Sequence, residues 1–216
     1  MQIKKPVTIL GIPVHPLTMK ESVNILEDRL LKGKQTFVVT ANAEIIMMCQ
    51  DDHEYNTIVA TKADLILPDG AGAVWAGRYL GNDIPERVAG FDLYNQLLQL
   101  AARKGYKAYF FGGAPGIAEA AKAKAEELYP GVQIVGCHNG YFTAEEEADI
   151  LADINSKQAD MLFVALGAPK QEKWLVEHRD QLAPKILMGI GGSFDVLAGK
   201  MERAPKWMQE ASLEWA

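Results

Sequence analysis

Apolar residues along the chain fall into short continuous runs, separated by stretches where they recur every three or four positions. That is the pattern of buried strands alternating with amphipathic helices. Leu162-Phe-Val-Ala-Leu and Lys185-Ile-Leu-Met-Gly-Ile show no polar alternation, as expected of strands covered on both faces. The second half is the more regular, with strands predicted over 108–111, 133–137 and 161–166 and helices over 117–129 and 144–155. Ile117, Ala121, Ala125 and Leu128 mark one helical face, and Thr143 with Glu146 forms a capping box.

The first half opens with a β-branched stretch, 7–14, interrupted by Gly11 and Pro13, which reads as a short strand or hairpin. A helix follows, started by the capping box Thr18/Glu21 and ended by Gly33. A strand over 36–39 leads into helices over 45–49 and 54–61, with Asp51-Asp52-His53-Glu54 as a solvated turn between them. A strand over 64–67 stops at Pro68-Asp69-Gly70, and a helix through Trp75, a polar loop over 81–90 and a helix over 91–104 complete this half. Strand–helix alternation of this kind predicts an α/β fold: a Rossmann-like, mostly parallel sheet with helices on both faces. With 216 residues, 49% of them apolar, and no composition break, the chain reads as a single domain.

Charge and cysteine content narrow the function. A net charge of −6 argues against a nucleic-acid partner, which calls for an excess of Lys and Arg. Cys49 and Cys137 stand far apart without CxxC spacing and read as reduced core thiols. No apolar run approaches the roughly 20 residues that span a bilayer, so a cytoplasmic location is expected.

In open parallel sheets, ligands bind beyond the carboxyl ends of the strands. Five such ends stand out: Thr40-Ala-Asn42, Pro68-Asp69-Gly70, Gly112-Gly-Ala-Pro115, Gly167-Ala-Pro-Lys-Gln171 and Gly189-Ile-Gly-Gly-Ser193. Glycine lets backbone N–H groups approach an anion, and several glycine turns at one sheet edge favour a nucleotide or sugar-phosphate site. Asp69 is either the N-cap of the following helix or a general base at the ligand edge. Thr40 and Asn42 are candidate caps of the following helix, and Asn42 is alternatively a hydrogen-bond partner of a sugar hydroxyl or amide. Arg87, Lys170 and Gln171 are solvated side chains or ligands of a diphosphate. There is no Walker or GxGxxG fingerprint, no GxSxG elbow, no DxD and no His pair at zinc spacing. An oxidoreductase therefore lacks its dinucleotide signature, while a nucleotide-binding protein without chemistry stays open.

Taken in order, Thr40-Ala-Asn-Ala-Glu-Ile, Leu67-Pro-Asp-Gly, Pro85-Glu-Arg-Val-Ala-Gly-Phe-Asp92, Phe111-Gly-Gly, His138-Asn-Gly-Tyr-Phe142, Phe163-Val-Ala-Leu-Gly-Ala-Pro-Lys-Gln-Glu172 and Gly189-Ile-Gly-Gly-Ser-Phe-Asp195, continuing to Arg203-Ala-Pro, resemble the WecG/TagA/CpsF glycosyltransferases over nearly the whole chain. The resemblance implies an inverting, metal-independent and cofactor-free transfer of N-acetylmannosamine, or its uronic acid, from a UDP-sugar donor to a polyprenyl-diphosphate-linked acceptor. Such an enzyme serves wall teichoic acid or related cell-surface polysaccharide synthesis. By the same resemblance Asp69 is the catalytic base. Thr40, Asn42, Arg87 and Gln171 bind substrate, and Gly112, Gly113, Gly191 and Gly192 form the backbone cradle. A peripheral place at the inner face of the membrane follows, although the family's basic, membrane-associating tail is expected to be missing here. A homo-oligomer is compatible with the apolar surface around Met47 and Met48.

Overall fold

The computed structural model describes residues 3–200 and Arg203. Strands β1 (Val7–Ile9) and β2 (Ile12–Val14) form an antiparallel hairpin turning through Leu10 and Gly11, both at positive φ, as primed hairpin turns require. Helix α1 (Met19–Leu31) begins with the predicted Thr18/Glu21 capping box. Strand β3 (Thr36–Ala41) is buried throughout. Helix α2 (Ala43–Asp51) starts two residues earlier than the apolar pattern predicts, because the Asn42 side chain accepts from the Ile45 N–H and fixes its first turn.

The helix predicted over 54–61 divides into α3 (His53–Thr57) and one π-helical turn (Ile58–Lys62). Asp52 caps α3 through the Tyr55 N–H and pairs with Lys173 at 3.2 Å. It is thus the junction of two helices, where the sequence suggested a solvated turn; its cationic partner comes from a remote segment. Strand β4 (Leu65–Pro68) and α4 (Ala71–Tyr79) follow. After the loop come α5 (Gly90–Lys104), β5 (Lys107–Gly112), α6 (Ile117–Leu128), β6 (Gln133–His138) and α7 (Ala144–Ser156), the last with its predicted capping box. The chain continues through β7 (Met161–Ala165), α8 (Lys170–His178), β8 (Ile186–Gly189) and α9 (Ser193–Leu197).

Among the described residues, β3 to β8 form one parallel sheet in the order β4-β3-β8-β7-β5-β6. The fold is therefore the predicted α/β, Rossmann-like arrangement. Side chains alternate between the faces of each strand, which divides the core in two. Val38, Phe110, Phe163 and Met188 pack under α1, α5, α6 and α9. Phe37, Val39, Phe111, Val164 and Leu187 pack under the hairpin, α2, α3, α7 and α8. The strand order sets the carboxyl ends of β4, β3, β8 and β7 side by side, and the site lies along that edge. No described helix is long and apolar enough to cross a membrane.

Candidate active site

A cleft of about 210 Å³ opens over these four strand ends. Thr40 and Asn42 line it from the end of β3, Asp69 from β4, Gly90 and Phe91 from the start of α5, Gln171 from α8, and Gly191 and Gly192 from the turn after β8. Of the expected site residues, Asp69, Thr40, Asn42, Gln171, Gly191 and Gly192 are thus brought together from positions more than 150 apart in sequence.

Asp69 stands one residue before the N-cap of the helix that follows it in sequence. Gly70, at φ 105°, occupies the N-cap of α4, and the Asp69 side chain turns to the first residue of α5, where Oδ2 accepts from the Gly90 N–H at 3.1 Å. Its own N–H donates to the Ala41 carbonyl, anchoring it to the neighbouring strand end. Gly90 is required at this junction, since a Cβ there would stand 2.8 Å from Thr40 Oγ1 and 3.5 Å from Asp69 Oδ2. Arg87 lies behind the carboxylate, its Nε 3.7 Å from Oδ1, with both side chains about four-fifths buried. A carboxylate held by a backbone N–H and a guanidinium, yet open to a cleft, is a defined acceptor for a proton from a bound hydroxyl.

On the other side of the cleft Gln171 is buried, and its Oε1 accepts from the Gly191 N–H at 3.0 Å. The Ser193 N–H donates to the Ile190 carbonyl. Within this glycine turn, then, the Gly191 amide is already engaged, and the Gly192 amide is the one without a partner among the described residues. Next to Gln171 sits Glu172, only 2% exposed. Its Oε1 accepts from the Tyr55 hydroxyl at 2.6 Å. Burial pushes its pKa up to about 7, against the opposing effect of hydrogen bonds from Tyr55 and Gln171. The same burial, with Glu172 and Asp52 nearby, pushes the Cys49 thiol up to about 11. Sequence reasoning passed over Glu172, because a carboxylate among Lys170, Gln171 and Lys173 looks like a solvated helix face. The hints were its place one residue after a strand-end motif and at the close of the stretch 163–172 that carries the family resemblance.

Gly112 and Gly113 lie apart from the cleft lining. A Cβ on Gly112, which sits at φ 131°, would come within 2.3 Å of the Ala165 carbonyl oxygen. The Gly113 N–H donates to that carbonyl, while the Gly113 carbonyl accepts from the Gly140 N–H. These glycines join the ends of β5, β6 and β7 by close backbone approach. Lys170 is exposed, with its ammonium 5.4 Å from the Phe142 ring centroid. Arg203 returns to the rim, where it binds both carboxylate oxygens of Asp92 at 2.7 and 3.1 Å and covers the Phe91 ring. The expectation about the terminal tail otherwise lies outside the described residues. Among those residues, one group with metal-ligand geometry is found, Glu147, Glu177 and His178, and none of the three lines the cleft.

Fold and site together define an α/β protein with a cleft across parallel strand ends and a carboxylate in its lining, the layout of a group-transfer enzyme acting on a nucleotide-linked or phosphorylated substrate. A family model described as the glycosyl transferase WecG/TagA/CpsF family matches residues 7–216. The chain belongs to this family. Among its relatives, the N-acetylglucosaminyldiphosphoundecaprenol N-acetyl-beta-D-mannosaminyltransferase of Bacillus spizizenii is 34% identical over 98% of this chain and 80% of its own length. The proteins of the same name from Bacillus subtilis and Staphylococcus aureus are 32% and 31% identical, over 96% and 97% of this chain and 80% and 82% of their own lengths.

Proposed function

We propose that this chain transfers N-acetylmannosamine from UDP-N-acetylmannosamine to undecaprenyl-diphosphate-linked N-acetylglucosamine, with inversion at the anomeric carbon. The observation that carries the reading is the Asp69 carboxylate, fixed by Gly90 in a cleft whose other walls are Thr40, Asn42, Gln171 and the turn after β8. The names of its relatives support the sugar and the acceptor. The activity serves the linkage unit of wall teichoic acid or a related cell-surface polysaccharide, and it is exercised peripherally at the inner membrane face, where the lipid-linked acceptor resides.

In this mechanism Asp69 removes the proton of the acceptor hydroxyl as its oxygen attacks the anomeric carbon. The new glycosidic bond forms as the bond to the diphosphate oxygen breaks, and UDP departs with that electron pair. Arg87 and the Gly192 amide stabilise the charge developing on the diphosphate, the term that usually dominates such catalysis. Thr40 and Asn42 orient the sugars. Asn42 spends its carbonyl on the α2 cap and offers its amide nitrogen. The assay is UDP release with UDP-N-acetylmannosamine and, separately, its uronic acid, against a short-chain polyprenyl-diphosphate N-acetylglucosamine, with and without chelator. Release with N-acetylmannosamine that survives chelation is expected. Release with the uronic acid alone reassigns the donor, and dependence on added metal overturns the mechanism.

A further inference from the structure

We infer that Glu172 is a positioning residue for the cleft: by accepting a hydrogen bond from Gln171, it aims that side chain's oxygen at the Gly191 N–H and so sets the turn that faces the ligand. The inference rests on the cleft being the UDP-sugar site. Its physical basis is the polarity of an amide. For Gln171 Oε1 to face the Gly191 N–H at 3.0 Å, Nε2 must point the opposite way, into the protein, and a buried N–H₂ needs an acceptor there. Glu172 is the acceptor placed to supply it, since its Oε2 and Gln171 Nε2 crowd the same point, each 2.7 Å from where a Cβ on Gly189 would stand.

The other carboxylate oxygen takes the Tyr55 hydroxyl at 2.6 Å, so α3 anchors the pair from the side away from the cleft. The end of β8 closes against both side chains. A Cβ at Gly189 would lie 2.7 Å from Gln171 Nε2 and 2.7 Å from Glu172 Oε2, so neither can swing toward the strand. The arrangement is a relay, Tyr55 to Glu172 to Gln171 to Gly191, ending at the cleft. An ionised carboxylate is acceptor-only and serves both donors at once, which neither glutamine nor a protonated carboxyl does. The titratable and charged groups around it are Tyr55, Cys49, Asp52 and Lys173. Lys173 is engaged with Asp52 and Glu54, which leaves the two hydrogen-bond donors as the stabilising partners of Glu172.

Two readouts test the relay: hydrogen exchange at the Gly191 amide in the ligand-free protein, and the Kd for UDP by calorimetry. Glu172→Gln should raise both the exchange rate and the Kd by about five-fold, the worth of one net hydrogen bond, and Tyr55→Phe should act in the same direction. Combined with Gln171→Ala, Glu172→Gln should add nothing further, because its effect passes through Gln171. Wild-type affinity should also fall between about pH 8 and about pH 6 relative to Glu172→Gln, as protonation turns one acceptor oxygen into a donor. Unchanged exchange and affinity in Glu172→Gln, or effects that add to those of Gln171→Ala, overturn the relay. A wild-type protein that does not bind UDP overturns the donor-site reading instead, and exchange at Gly191 then decides the relay alone.

Discussion

Replacing Glu172 with glutamine keeps the size of the side chain and removes its proton equilibrium, which makes the energetic cost of this buried carboxyl measurable. Its pKa is about 7 in the folded protein against an ordinary 4.5. Between those two values the folded state holds a proton that the unfolded state has released, so stability falls as pH rises through this window and levels off above it. A shift of this size, at about 1.4 kcal/mol per unit, amounts to roughly 3 kcal/mol. That is a large share of the 5–15 kcal/mol, approximately, that holds a typical domain together. The variant forgoes this penalty, and its neutral amide resembles the protonated carboxyl in serving one of the two donors less well. The two proteins should therefore be of similar stability below about pH 4, and the variant should be the more stable at about pH 8. Urea unfolding of both proteins across this range, with the slope m checked for constancy, gives the difference directly, and titrations elsewhere in the molecule cancel. Parallel pH profiles, or a wild type that gains on the variant as pH rises, would refute the assignment of a raised pKa to Glu172.

Asp69→Asn should lower turnover by about 100- to 10,000-fold, the usual range for loss of a general base, while calorimetry shows UDP affinity retained; undiminished turnover removes Asp69 from the role. Gly112→Ala forces a Cβ against the Ala165 backbone at a φ of 131° and should destabilise the protein by roughly 2 kcal/mol or more, read as a lowered melting temperature. Gly192→Ala, with open space and a φ of −79°, should leave that temperature within a few degrees of the wild type. Cys49, which is buried, and Cys137, which is partly buried, have their thiols pushed by desolvation up to about 11 and about 12, and both should react with iodoacetamide far more slowly in the native protein than in urea at neutral pH; equal rates would contradict the raised pKa values.

Local chemistry made much of this molecule readable from sequence alone. The capping boxes at Thr18/Glu21 and Thr143/Glu146 form as predicted, because each is closed by residues three apart. Apolar runs such as Leu162-Phe-Val-Ala-Leu required a strand covered on both faces, and their alternation with helices required a parallel sheet. What stayed hidden depends on which strands become neighbours. Asp69 follows β4 and precedes α4, and its carboxylate also reaches α5, because the sheet edge brings Gly90 to it from 21 positions away. The two glycine pairs look alike in sequence and end differently. Gly191 and Gly192 close a turn at the cleft, whereas Gly112 and Gly113 stand at the end of β5, which the order β4-β3-β8-β7-β5-β6 places beyond β7. Glu172 shows the limit most clearly, since nothing in a charged helix turn signals that Tyr55 and Gly189 will enclose one of its carboxylates. The sequence by itself determined the elements, their caps and the strand ends where chemistry could sit, because those follow from periodicity and contacts within a few residues. Only the tertiary structure decided which ends converge and which carboxyl is buried, because strand order and desolvation are set by contacts between segments far apart in the chain.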